Sequence, residues 1–139
     1  MTGAEIPGEI DRAGNVDGCR AAEAQALVLD EMGFVDPMPV QSATLPLVRD
    51  GRDLMVQSRT GSGKTAAFGI PFANGIVNGD DKFVQAIVLL PTRELALQVA
   101  AELARICQYR QITVVPVYGG APMGRQVEQL RAGGQIVCG

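Results

Sequence analysis

Residues 58–65 read Ser-Arg-Thr-Gly-Ser-Gly-Lys-Thr and lie between the apolar run Leu54-Met55-Val56 and a segment with helical periodicity. This order of strand, glycine-rich loop and helix constrains the fold more than any other feature of the chain. Small glycines let backbone N–H groups converge on phosphate oxygens, and the helix N-terminus adds about half a positive charge. A lysine placed here reaches the outer phosphates, and the hydroxyl after it can hold Mg²⁺. Thr60, Gly61, Ser62, Gly63, Lys64 and Thr65 are therefore candidate nucleotide-binding residues, with Lys64 and Thr65 the candidate catalytic pair and Thr65 the candidate metal ligand. Ser58 stands where the full pattern has its first glycine. The alternative, a plain glycine-rich turn before a helix, is disfavoured by the flanking strand and helix.

Short apolar runs alternate with helical patterns from the Asp50-Gly51 turn onward, the rhythm of a parallel sheet with crossover helices. Strands are expected at about 53–57, 84–90, 112–118 and 135–138. Phe68, Phe72 and Ile76 recur every four residues, as do Leu95, Val99 and Leu103, followed by Ile106, so each connecting segment has one apolar helical face. Pro71 removes a bond to the carbonyl of Ala67, which predicts a kink. Upstream, Arg20–Met32 is rich in helix formers and stops at Gly33, and a second helix is expected from Pro39 to Val48. Residues 1–18 mix Gly3, Gly8, Gly14, Gly18 and Pro7 with scattered charges, which predicts a flexible tail before one domain over 19–139. The expected class is α/β, a mainly parallel sheet flanked by helices.

Composition removes several chemistries. The 139-residue chain contains no histidine, and its three cysteines, Cys19, Cys107 and Cys138, have no metal-ligand spacing. That excludes a zinc site, a Cys-His nucleophile and a Ser-His-Asp triad, and free thiols predict a reducing, cytoplasmic setting. The apolar run Ala86–Leu90 is far short of the roughly 18 residues a membrane span needs. Glu5, Glu9 and Asp11 stand where a signal peptide has basic and apolar residues. A net charge of −3 argues against an extended basic surface, so any nucleic-acid contact has to be local.

Reading outward from the loop, Gly33-Phe34 with Pro37 and Gln41, then Gly51-Arg52-Asp53, Thr60–Thr65, Pro91-Thr92-Arg93-Glu94-Leu95-Ala96 and Tyr118-Gly119-Gly120 follow in order. Together, from about Gly33 to Gly139, they closely resemble the first RecA-like domain of DEAD-box RNA helicases. The resemblance implies a partial RecA-like P-loop NTPase domain with ATP and Mg²⁺ as cofactors. It implies that Phe34 and Gln41 belong to the nucleotide site, with the Gln41 amide reading the adenine edge. It further implies that Pro91, Thr92, Arg93, Gly119 and Gly120 grip single-stranded RNA through phosphates and riboses, without reading sequence. Taken singly, Gln41 also reads as a surface helix residue, Gly119-Gly120 as a strand-to-helix turn, and Arg93 as a solvated helix N-terminus. The aromatic residue that the family stacks on the base falls near Val16 here, and Met38 stands where threonine is common.

Leu27-Val28-Leu29-Asp30-Glu31 has the form of a strand ending in an acidic Mg²⁺ pair, but it precedes the phosphate loop and its Ala-rich surroundings predict a helix. Asp80-Asp81 sits in a turn. The expectation is therefore a fragment that stops before the Asp-Glu-Ala-Asp motif, binds ATP and RNA as part of an ATP-dependent RNA helicase, and is inactive alone without a second RecA-like domain. The alternatives are a non-hydrolysing nucleotide- or RNA-binding piece, or another P-loop ATPase such as a DNA translocase. The same resemblance predicts a gap in the sheet, left open or closed by pairing 53–57 directly with 84–90.

Overall fold

The computed structural model describes residues 38–139. The expected tail, the expected helix over 20–32, Asp30, Glu31 and Phe34 lie outside the described residues. Four α-helices and three strands follow in the order α1 (Pro39–Arg49), α2 (Lys64–Pro71), β1 (Ala86–Val88), α3 (Arg93–Cys107), β2 (Val114–Pro116), α4 (Met123–Arg131) and β3 (Ile136–Cys138). The strands form one parallel sheet in the order β1-β3-β2. Ile136 is in register with Ala86 on one side and Val114 on the other, and Cys138 with Val88 and Pro116. Further bonds, from the Gln85 N–H to the Gln135 carbonyl (2.8 Å) and from the Leu90 N–H to the Gly139 carbonyl (2.8 Å), carry the pairing past the strand ends.

The core lies between this sheet and α3. Ala96, Val99, Ala100, Leu103, Ile106 and Cys107 recur at helical spacing and are all buried, so one face of α3 is wholly apolar. The helix starts where Thr92 caps it, its hydroxyl accepting from the Leu95 N–H at 3.2 Å. Leu103 and Ile106 meet Ile136 and Cys138 from the sheet and Val77 from the chain after α2. Helix α2 approaches α3 at Gly69, where a Cβ would lie 2.7 Å from Leu103 Cδ2, so only glycine permits this separation.

Two expectations need correction. Helix α2 ends at Pro71, which itself keeps helical angles (φ −58°, ψ −37°), and the residues with non-helical angles stand beyond the expected position of the kink. The departure comes later, in a π-helical turn over Phe72–Ile76 closed by the Val77 N–H on the Phe72 carbonyl (3.1 Å). It falls at Asn74 and Gly75, because Gly75 alone accepts a φ of +117° without a Cβ penalty. The second correction concerns 53–57, which among the described residues joins no ladder and does not pair with β1. Among the described residues β1 bonds only β3, so its other edge stays open and 53–57 does not take it up.

Candidate functional site

The phosphate-loop candidate runs into the first turn of α2. Gly61 (φ +74°) and Gly63 (φ +79°) both take the left-handed conformation, which turns the loop back on itself at no steric cost for glycine. Lys64 closes the ring: its Nζ donates to the carbonyl oxygens of Ser58 (2.6 Å) and Arg59 (2.8 Å). The Ser58 hydroxyl adds a bond to the Ser62 hydroxyl at 2.5 Å. An ammonium, a helix N-terminus and a hydroxyl on Thr65 thus stand within six consecutive residues, a donor set that fits a polyphosphate and its metal ion. Among the described residues no three His, Cys, Asp or Glu side chains cluster as a metal site.

Helix α1 packs against this loop through Gln41. The residue is 1% exposed, which sets aside its reading as a surface helix residue. Its Oε1 accepts from the Met38 N–H (3.0 Å), and its Nε2 donates to the Gly63 carbonyl (3.2 Å). Gln41 therefore caps its own helix and holds the phosphate loop with one amide. The approach is close: a Cβ on Gly63 would fall on the Gln41 amide nitrogen and 2.8 Å from the Met38 sulfur.

The second group of candidates gathers at the carboxyl edge of the sheet. Because β1 and β2 are both parallel to β3, the loops after them emerge on the same side. Pro91, Thr92 and Arg93 follow β1, Gly119 and Gly120 follow β2, and all five are exposed. The Thr92 hydroxyl is engaged as the cap of α3, and Arg93 Nε bonds Glu94 Oε1 at 2.6 Å. That guanidinium holds the Glu94 carboxyl below the usual range. Gly120 has a φ of +86°. Among the described residues no hydrogen bond joins this group to the phosphate loop.

Three features, two at these sites and one at the amino end of β3, escape a reading of the sequence. Ser58 reads there as a departure from a pattern, whereas in the structure its hydroxyl ties the loop. Gln126, on α4, bonds the backbone of the Gly119-Gly120 turn. Gln135, buried at the start of β3, accepts from the Thr113 N–H and donates to the carbonyls of Gly79 and Asp81. The one available signal is a glutamine heading the apolar run Ile136-Val137-Cys138. Cys107 and Cys138 are buried free thiols pushed up to about 11, by desolvation in both and by the Cys138 charge in addition for Cys107. They take no part in either site.

Comparison with known proteins gives concordant results. The family model described as DEAD/DEAH box helicase matches residues 38–139. The DEAD-box ATP-dependent RNA helicase CshA of Bacillus subtilis is 45% identical over 111 residues, covering 80% of this chain and 22% of that protein. Its Bacillus licheniformis counterpart is also 45% identical, with 80% and 23% covered. The chain thus spans about a fifth of the length of these relatives. Among solved structures, a hypothetical ATP-dependent RNA helicase from Sulfolobus tokodaii superposes with a TM-score of 0.72 at 38% identity, over 83% of this chain and 32% of that one. A DEAD box protein from Methanococcus jannaschii gives 0.73 at 37%, covering 81% and 31%. The RNA helicase Prp28 from Chaetomium thermophilum bound to ADP gives 0.71 at 35%, covering 83% and 29%. No helix among the described residues is long and apolar enough to cross a membrane.

Proposed function

Since the chain belongs to the DEAD/DEAH box helicase family, we propose that it binds ATP and the backbone of single-stranded RNA as part of an ATP-dependent RNA helicase. The observation that carries this reading is the closed loop over 58–65, in which Lys64 sits on two loop carbonyls that a phosphate can replace. In this reading Thr60, Gly61, Ser62 and Gly63 supply backbone donors, Lys64 binds the outer phosphates, and Thr65 ligates Mg²⁺. The metal, when bound, neutralises phosphate charge. Gln41 reads adenine: its amide has one N–H and one lone pair beyond the two bonds it makes, the complement that an adenine edge needs. The family resemblance assigns Phe34, outside the described residues, to nucleotide binding as well. A helicase that Prp28 exemplifies with bound ADP has the same fold, which supports placing a nucleotide here.

RNA lies along Pro91, Thr92, Arg93, Gly119 and Gly120, touched through phosphates and riboses. Two exposed loops on one sheet edge fit a backbone that runs across them, and five residues without a base-reading array fit binding without sequence preference. Residues 19–139 belong in this reading to the ATP-binding domain, which works in the cytoplasm against a second RecA-like domain. Titration with a fluorescent ADP tests the nucleotide site. Lys64→Ala should weaken binding at least tenfold, because a charge-assisted bond contributes about 1.5–3 kcal/mol. Equal affinity in the variant would place the nucleotide elsewhere. Gln41→Ala should erase a preference for ATP over GTP in the same assay.

A further inference from the structure

The turn from Tyr118 to Ala121, which carries Gly119 and Gly120, is closed by one side chain. Gln126 projects from α4 and is 7% exposed. Its Oε1 accepts from the Tyr118 N–H at 3.0 Å, and its Nε2 donates to the carbonyls of Tyr118 (3.2 Å) and Ala121 (3.4 Å). Tyr118 lies just beyond β2. The preceding N–H, of Val117, bonds across the sheet to the Cys138 carbonyl at 2.8 Å, so the polar groups of Tyr118 face the opposite edge, which pairs with no strand among the described residues. There the Gln126 amide does what a neighbouring strand would do, taking the N–H and serving the C=O of one residue.

The turn itself has little else to shape it. A Cβ on Gly119 or Gly120 would meet nothing within 4 Å, so no neighbouring group presses on it from outside. Gly120, in the left-handed region, is free to adopt many other conformations. A backbone that must present N–H groups to a phosphate binds tightly only if its conformation is set beforehand. We propose that Gln126 is a positioning residue for RNA: it fixes the Gly119-Gly120 backbone in the form that receives the sugar-phosphate chain, without touching RNA itself. This rests on the reading of that turn as part of the RNA site. Glutamine is the side chain the arrangement requires, because it offers an acceptor and two donors at the same reach and carries no charge to repel phosphate.

The test uses the 139-residue chain, a fluorescein-labelled single-stranded uridine decamer, fluorescent ADP, and amide exchange read by peptide. Gln126→Met keeps the volume and removes every bond. It should weaken RNA binding about tenfold, roughly the weight of one or two hydrogen bonds. It should also speed exchange over 118–121, with ADP affinity changed less than twofold. Gln126→Glu keeps the acceptor but cannot donate when ionised, and should also lose RNA affinity. Gln129→Glu, which adds the same charge one helical turn on, should lose much less. RNA affinity or exchange unchanged in Gln126→Met would overturn the proposal, as would equal losses in the two glutamate variants. Loss of ADP and RNA binding together in Gln126→Met would reduce the residue to a structural role and overturn it too. A wild-type chain that binds ADP but no RNA would overturn the RNA reading and this proposal with it, whereas wild-type binding alongside an indifferent Gln126→Met variant would overturn the proposal alone.

Discussion

Strand β1 and the run over 53–57 both carry three successive apolar residues ahead of a loop that opens a helix, and they live in different surroundings. Beside β1 stands β3, and its alternate residues Ala86, Val88 and Leu90 pack on the core beneath α3. The run Leu54-Met55-Val56 has no ladder among the described residues, and Met55 is fully exposed. Even β1 is covered on one face only, since Ile87 and Leu89 are 67% and 83% exposed. A parallel sheet is stable when both faces and its inner edges are covered. The contrast shows that an apolar run is a demand for partners, and that the supply of partners decides whether it becomes a strand.

The largest expected effect bears directly on that contrast. Leu103, fully buried where α3 meets the sheet, should cost about 2–5 kcal/mol on substitution by alanine, for lost transfer energy and the cavity left behind. Met55→Ala should stay within about 0.5 kcal/mol, as expected of an exposed side chain. Urea denaturation of both variants measures the pair. A cost above 1 kcal/mol at Met55, in the same terms of ordinary exposed positions, would show that 53–57 is packed in solution.

The next effect separates two glycines of the phosphate loop. Gly61→Ala forces a non-glycine residue to a φ of +74° in open space, whereas Gly63→Ala does so at +79° and also drives a methyl into Gln41 and Met38. The left-handed strain alone costs on the order of 1–2 kcal/mol, and the collision adds to it. Gly63→Ala should therefore lower both Tm and ADP affinity more than Gly61→Ala. Equal effects would mean that α1 does not rest on the loop.

What could be read from the sequence follows the reach of the interactions. The phosphate-loop candidate is local: its glycines, Lys64 and Thr65 sit within six residues, and the pattern names them all. Pro39 and Thr92 mark helix starts by their own chemistry, and α1 and α3 begin there. Strand centres are legible in apolar runs, although the ladders prove shorter than the runs. Partnering is different, because it depends on distant chain. Nothing within 53–57 tells that it finds no ladder among the described residues, and nothing beside Gln135 tells that its amide reaches Gly79 and Asp81, 56 and 54 residues earlier. The RNA candidates rest on resemblance alone, because two glycines and an arginine in exposed turns have no chemistry peculiar to RNA.

A smaller effect follows from the two buried thiols. Both Cys107 and Cys138 are pushed from an ordinary value of 9.0 up to about 11, so the folded state favours the neutral thiol. The stability this provides is fully present below pH 9 and declines as pH rises toward 11, because the unfolded chain ionises first. Peptide mapping after iodoacetamide treatment at pH 8 should find both residues unmodified in the native protein and labelled in urea. Rapid native labelling of Cys138 would mean that the sheet end opens, and would weaken the contrast between a built sheet and an unbuilt run.

The smallest expected effect lies inside the phosphate loop, where the two halves of the comparison meet. In the proposed reading, entry of a phosphate has to detach Lys64 from the Ser58 and Arg59 carbonyls, next to which Ser58 bonds the Ser62 hydroxyl. Ser58→Ala removes that bond and leaves every donor to phosphate intact. A neutral hydrogen bond contributes about 0.5–1.5 kcal/mol net. Losing it from the closed loop alone should therefore raise ADP affinity by roughly 2- to 10-fold in a calorimetric titration. Reduced affinity would carry the opposite meaning, that the hydroxyl pair shapes the loop for phosphate instead of holding it shut. The sign of the change thus tells whether residues 58–65, following a run with no strand to anchor it, are organised before the nucleotide arrives or by it.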